Sequence, residues 1–311
     1  MYLVCGEALF DFFSETEADG PASQVNYKAI AGGSPFNVAV GLRRLGVESA
    51  LFAGLSTDYL GRRLQRVLLN EGVSPRYLLD FDAPTTLAMV AVGANGSPHY
   101  SFRGEGCADR QLSLAHLPEL GPEVRGLHVG SFSLVVQPIA DTLLALVQRE
   151  SGRRLISLDP NVRLNPQPDI ELWRSRIATL VQYADLIKVS DEDLSLLYPD
   201  RDPNEVIGGW LEHRCQLAFL TRGGQGATVF SRHHGVWSLP ACPVEIADTV
   251  GAGDTFQAAL IAWLTEQQLD DVEGLHSLTV DHINGMLDFA MRAAALTCTK
   301  TGPDLPYRKH L

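Results

Sequence analysis

What this 311-residue chain lacks narrows its function before any motif is read. Its five cysteines (Cys5, Cys107, Cys215, Cys242 and Cys298) are odd in number and scattered, with no CxxC pair and no histidine cluster at zinc-ligand spacing. A disulfide framework and a structural zinc site are thereby disfavoured, and unpaired thiols fit a reducing, cytoplasmic compartment. No run of about 18 apolar residues exists to span a bilayer. The opening MYLVCGEALFDFF is apolar but has no basic lead, and Glu7 and Asp11 interrupt it, so it does not read as a signal peptide. Positive charge is scarce as well. With 25 Lys and Arg against 37 Asp and Glu the formal charge is −12, which argues against nucleic acid as a partner. No GK[ST] tripeptide is present, which excludes a P-loop nucleotide site. No dinucleotide-binding fingerprint is present either. The nearest glycine cluster, Gly223-Gly224-Gln225-Gly226, runs into ATVF, which reads as a strand and not a helix.

What remains is ordinary globular material, 45% apolar and 20% charged, within reach of one large α/β domain. Strand and helix alternate along it. Residues 2–5 read as a strand. A helix is predicted over 35–45, with Ser34 as N-cap, Pro35 at the first helical position and Gly46 just past the end. Apolar runs at 50–54, 127–130, 154–158, 185–189 and 217–221 then alternate with helical stretches near 59–70, 138–149, 171–182 and 204–213. This pattern predicts right-handed βαβ units, a mostly parallel sheet and helices on both faces. Two inserts break it. Residues 85–103 alternate around Asn95-Gly96, a hairpin signal, and residues 8–31 carry few helix signals. Together they predict a small antiparallel sheet standing off the main one, either an edge hairpin or a lid. From Asp254 to about residue 299 the chain reads as mostly helical.

The segment DTVGAGD at 248–254 carries the most chemistry. Gly251, Ala252 and Gly253 have little or no side chain, so their backbone N–H groups can approach a ligand. Phe256, Ala259, Leu260, Trp263 and Leu264 behind them fall on one helical face. Small residues opening a helix make an anion site, and Asp254 at its mouth can take a proton from an alcohol beside a bound phosphate. TRGGQG at 221–226 ends an apolar strand, where a hydroxyl and glycine N–H groups could hold nucleotide phosphates; the alternative is a plain hairpin turn. In AGGSPFNVA at 31–39, Gly32 and Gly33 precede a helix and Asn37 falls in its first turn, positions from which a small polyol could be held. Asp11, after the first strand, could bind a pair of hydroxyls.

Together these segments resemble the ribokinase-like (PfkB) carbohydrate kinases over essentially the whole chain. GGSPFNVAVGLRRLG at 32–46 is similar to the family's N-terminal signature and DTVGAGDTF at 248–256 to its C-terminal one. DPNVR at 159–163, IKVSDEDL at 187–194 and TRGGQGA are similar to its middle blocks. SPFNVA, FRGEGCAD at 102–109 and DPNVR look closest to the bacterial fructokinases of the family.

The resemblance implies a three-layer α/β/α kinase domain spanning 1–311, with lid inserts near 8–31 and 85–105. It implies ATP as phosphoryl donor, Mg²⁺ arriving with the nucleotide, and a monovalent cation such as K⁺ near Asp248. Asp254 would be the base, with the Gly251, Ala252 and Gly253 N–H groups stabilising transferring charge. Thr221, Gly223, Gly226 and Lys188 would hold the nucleotide. Asp11, Gly32, Gly33 and Asn37 would hold the sugar, with Arg103 closing over it from the lid and Arg163 reaching substrate or phosphates. In two places the chain departs from the family. Its magnesium-associated N-x-x-E block reads Ser190-x-x-Asp193 here, where the shorter carboxylate of Asp193 could still hold a metal-bound water, and the stretch FAMRAAAL lacks the usual asparagine. D-fructose is the expected acceptor. 2-Keto-3-deoxygluconate, ribose or a nucleoside are alternatives within the family, and a catalytically silent sugar-binding regulator lies outside its chemistry. Open lid edges predict a homodimer.

Overall fold

A computed structural model describes residues 1–16, 23–92 and 98–311. Strands β1 (Tyr2–Cys5), β2 (Leu9–Ser14) and β3 (Tyr27–Gly32) lead into helix α1 (Ser34–Arg44), β4 (Ser49–Ser56) and α2 (Tyr59–Asn70). Next come β5 (Leu78–Phe81), β6 (Leu87–Val92) and β7 (Pro98–Arg103). The middle of the chain alternates: β8 (Gly126–Gly130), α3 (Ile139–Glu150), β9 (Leu155–Asp159), α4 (Ile170–Leu180), β10 (Leu186–Ser190). Helices α5 (Asp191–Leu197) and α6 (Pro203–Leu211) precede β11 (Leu217–Thr221), β12 (Ala227–Ser231) and β13 (Gly235–Leu239). Three helices follow, α7 (Ala252–Glu266), α8 (Val272–His276) and α9 (Val280–Cys298).

Nine strands form one sheet in the order β13-β12-β11-β10-β9-β8-β1-β4-β5. Every pairing from β11 to β5 is parallel, and β12 and β13 add to the edge antiparallel. Strand β1 shows why the sheet is buried on both sides. Its Tyr2 and Val4 join the apolar layer of α1, α7 and α9, while Leu3 and Cys5 join that of α3 and α4. All four are fully buried. Each large apolar side chain so buried contributes about 1.5–3 kcal/mol of transfer free energy. The sequence pattern and the structure agree on this α/β/α sandwich. Among the described residues no helix is long and apolar enough to cross a membrane.

The second sheet has four strands in the order β3-β2-β6-β7. It is not wholly antiparallel as expected. Each insert is an antiparallel pair, but the two join through β2 and β6, which run parallel. The strands that precede them, β1 and β5, run parallel within the core sheet, so β2 and β6 leave it past the same strand ends and meet side by side. The ladder of β6 and β7 agrees with the expected hairpin, and its Asn95-Gly96 turn lies outside the described residues.

Helix α1 ends as its sequence predicts. Gly46 (φ 90°) follows it, with Gly46 N–H donated to the Arg43 carbonyl and Val47 N–H to that of Leu42, a Schellman pair. Its start differs: Gly33, at φ 101°, takes the cap position and Ser34 becomes the first helical residue. The Ser34 hydroxyl is thereby turned away from its own helix. Helix α5 was not foreseen, because SDEDLSLL is too short and too polar to show a helical stripe.

Candidate active site

Helix α7 begins at a left-handed residue, Gly251 (φ 80°), where a Cβ would also lie 2.8 Å from Pro303. Glycine therefore fits there on two counts. No side chain caps this helix, so its opening N–H groups face outward as an anion site, although Ala252 N–H already reaches the Thr249 carbonyl at 3.2 Å. A cation stands beside it: a Cβ on Gly253 would lie 2.9 Å from Lys188 Nζ. Lysine from a neighbouring strand thus approaches the loop that lacks a lysine of its own.

Asp254, in the first turn of α7, is 8% exposed. Its Oδ1 accepts a hydrogen bond from Ser34 Oγ at 2.6 Å, and its Oδ2 accepts one from Asn37 Nδ2 at 2.8 Å. Both donors sit in the first turn of α1, so the two glycine-rich segments meet at one carboxylate. Helix α1 can come this close because Gly41 has no side chain; a Cβ there would lie 3.0 Å from Ala258 of α7.

The first turns of α7 are tied on their other sides too. Thr255 Oγ1 is 2.8 Å from Thr297 Oγ1 on α9, and Gln257 Nε2 donates to Ser157 Oγ on β9 at 2.7 Å. Ser157 Oγ lies 3.1 Å from Nδ1 of buried His128, whose pKa is pushed down to about 3 by burial and by the Lys188 charge. The ring is therefore neutral, and Ser157 Oγ, paired with it, also accepts from Gln257.

Lys188, in the middle of β10, donates to Asp159 Oδ2, at the end of β9, across 3.0 Å. Both side chains are almost wholly buried. Burial alone would lower the lysine pKa, but Asp159, Asp193 and Asp254 outweigh it and hold the ammonium charged. Among the described residues Asp159 Oδ1 has no hydrogen-bond partner. Across the cleft, β2 presents Asp11 over Gly32, where a Cβ would lie 2.5 Å from Asp11 Oδ2. Its pKa is pushed up to about 6 by burial and by Asp254, while the Arg163 guanidinium acts in the opposite direction. Asp254, Lys188, Asp159, Asp11 and Arg163 therefore share one electrostatic neighbourhood, at the carboxyl ends of the parallel strands where open α/β sheets take their ligands.

Thr221 ends β11, opposite Ser190 of β10. Gly223 and Gly226 do form a hairpin turn between β11 and β12, at φ 48° and 94°. A Cβ on Gly223 would meet open space, whereas one on Gly226 would strike the Leu239 carbonyl. Asp193 closes a capping box with Ser190 and accepts Val162 N–H at 2.8 Å, which ties α5 to the DPNVR loop. Asp248 accepts N–H groups from Val250 (3.1 Å) and Gly302 (2.8 Å), joining the segment before α7 to the one after α9. Among the described residues no group of three or more His, Cys, Asp or Glu could hold a metal ion. Arg103 ends β7 opposite Leu87 and is exposed, as is Arg163, whose Nη1 donates to its neighbour's carbonyl.

Sequence reasoning passed over two residues. Ser34 was read as a cap. Asp159 lay inside DPNVR, and its place after the buried run LISL was the signal that could have singled it out.

Comparison with known proteins gives the family of the chain. Residues 1–310 match the model of the pfkB family of carbohydrate kinases. A fructokinase from Rhizobium leguminosarum bv. trifolii is 36% identical over 269 residues, covering 86% of this chain and 81% of the relative. The solved fructokinase of Xylella fastidiosa with bound ATP superposes with a TM-score of 0.88 at 26% identity, over 99% of this chain and 95% of that one. A Vibrio cholerae O395 fructokinase double mutant holding fructose, ADP and potassium superposes at 0.80 with 26% identity, over 97% and 93%. The chain belongs to the pfkB family of carbohydrate kinases.

Proposed function

We propose that this kinase transfers the γ-phosphate of ATP to a primary hydroxyl of D-fructose, with Asp254 as the general base. The observation that carries the reading is the position of Asp254. It opens α7 beside an uncapped anion turn, is gripped by two donors from α1, and has a buried ammonium alongside. Asp254 takes the hydroxyl proton as the sugar oxygen attacks phosphorus, and ADP leaves. The N–H groups of the 251–253 turn and the Lys188 ammonium meet the charge on the transferring group. Thr221, Gly223 and Gly226 line the nucleotide. Asp11, Gly32, Gly33 and the free amide oxygen of Asn37 receive the sugar, Arg103 closes over it from the small sheet, and Arg163 reaches the same cleft. Fructose is favoured over the other sugars of the family by the relatives that are fructokinases at 31–36% identity.

The donor set fits a magnesium ion that arrives with its phosphates. The protein offers no cage, but Asp159 Oδ1 is unpartnered beside Lys188 and Asp193 lies close by. Bound there, Mg²⁺ would neutralise phosphate charge, with the two carboxylates holding its water shell. A monovalent cation such as K⁺ would sit at the Asp248 loop, which already binds the 302 turn. We further propose a cytoplasmic homodimer paired through the small sheet, whose outer strands β3 and β7 have open edges and whose Tyr27 is 40% exposed.

The test is a coupled ADP-release assay over fructose, 2-keto-3-deoxygluconate, ribose and adenosine, run beside Asp254→Asn. Fructose gives the highest kcat/KM, and the variant loses at least ~10²-fold, the low end for a general base. Near-normal turnover by the variant, or no ADP from fructose, overturns the reading.

A further inference from the structure

Ser34 departs from what its sequence position predicts, and the departure leads directly to the reacting centre. A serine beside Pro35 at the head of a helix ordinarily caps that helix, but the φ of 101° at Gly33 moves the cap position back by one residue. The hydroxyl is released from that task and spans 220 residues of sequence to donate to Asp254 Oδ1 at 2.6 Å. Asn37, which grips the other oxygen, is 7% exposed and fixed by packing. Ser34, by contrast, is only half-buried.

We infer that Ser34 is a positioning residue which holds the base and, in the absence of sugar, denies water the place of the acceptor hydroxyl. The inference rests on Asp254 being the base. An alcohol O–H aimed at a carboxylate oxygen is the same contact that the sugar makes when it surrenders its proton. While Ser34 makes it, no water can hydrogen-bond to that oxygen from the same side. When sugar enters, the sugar hydroxyl takes its place on Oδ1 or shares the oxygen, which has a second lone pair. Ser34 keeps its own proton throughout and forms no bond to phosphorus. Remove the hydroxyl and a water fits. That water attacks the γ-phosphorus, its proton passes to Asp254, ADP leaves, and the product is inorganic phosphate instead of a sugar phosphate. Charged groups around Asp254 do not replace this function, because Asp11 from β2, Asp159 from β9 and Lys188 from β10 act on it through space, without hydrogen-bonding its oxygens.

The experiment compares wild type, Ser34→Ala, Ser34→Thr, Asp254→Asn and Ser34→Ala/Asp254→Asn. It measures sugar phosphate formed, and inorganic phosphate released from ATP, with and without fructose. Ser34→Ala should lower sugar kcat roughly 10-fold through loss of base alignment, with the KM for ATP within about 3-fold of wild type. Its sugar-free hydrolysis should rise several-fold relative to sugar transfer. Ser34→Thr, which keeps a hydroxyl, should stay coupled like wild type, and Asp254→Asn should abolish the extra hydrolysis. A thermal melt separates these effects from instability. Unchanged coupling in Ser34→Ala, or equal uncoupling in the alanine and threonine variants, overturns the inference. If Asp254→Asn itself retains turnover, the assignment of the base fails instead, and the two failures are told apart by that arm.

Discussion

Lys188 Nζ and Asp159 Oδ2 stand 3.0 Å apart with 5% and 1% of their side chains exposed, so each charge depends on the other for compensation. Removing one partner of such a pair leaves the other buried and unpaired, which costs about 3–5 kcal/mol. Lys188→Met should therefore lower urea stability by that amount and weaken ATP binding. Lys188→Met/Asp159→Asn should recover much of the stability but not the ATP affinity. Equal loss of stability in the single and double variants would falsify the pairing.

Gly253 faces the same ammonium at a distance that leaves no room for a methyl group. Gly253→Ala should fold, because its backbone is helical, yet push Lys188 aside and lower kcat roughly 10-fold. Steady-state kinetics beside a melting curve checks this; unchanged kcat would show that the contact has no bearing on transfer.

Ser157 Oγ receives a hydrogen bond from Gln257 Nε2 and is paired with His128 Nδ1, inside the sheet layer. Ser157→Ala strands both partners, and each orphaned buried polar group costs about 1–3 kcal/mol. Chemical denaturation measures the loss, and a change below 1 kcal/mol would mean that water replaces the hydroxyl.

Glu7 gives a pH prediction. It is 1% exposed and receives a hydrogen bond from Ser133, and its pKa is pushed from 4.5 up to about 7, chiefly by burial. The folded state therefore holds this proton more tightly than the unfolded one. The sign follows: the contribution of Glu7 to stability is greatest below pH 4.5 and is lost as pH rises to about 7. At 1.36 kcal/mol per unit, that window is worth at most about 3 kcal/mol. Glu7→Gln, neutral at every pH, should be more stable than wild type at pH 8 and lose the advantage near pH 4.5. Parallel stability curves across that range would rule it out.

Much of the architecture could be read along the chain, because alternating strand and helix patterns are local. So could Asp254, whose seven-residue setting belongs to one turn and one helix. Other features depend on neighbours far apart in sequence. Lys188 and Asp159 meet because β10 lies beside β9, 29 residues away, and neither residue's local context shows the other. The parallel join of β2 and β6 depends on how two separate inserts leave the core. Ser34 was misread because the cap motif is statistical, whereas the conformation of Gly33 decides it at this position.

The joining of α1 to α7 at a single carboxylate also has a consequence in time. A ribosome delivers residues 1–240, with most of the main sheet and the turn after β11, well before it delivers Asp254. The orienting donors Ser34 and Asn37 are thus made before the base, which arrives in the last fifth of the chain with α7 and α9, the helices that complete the same core layer. A chain ending before α7 lacks the base and also the helices that cover Tyr2 and Val4, so this side of the core and the active centre are completed together.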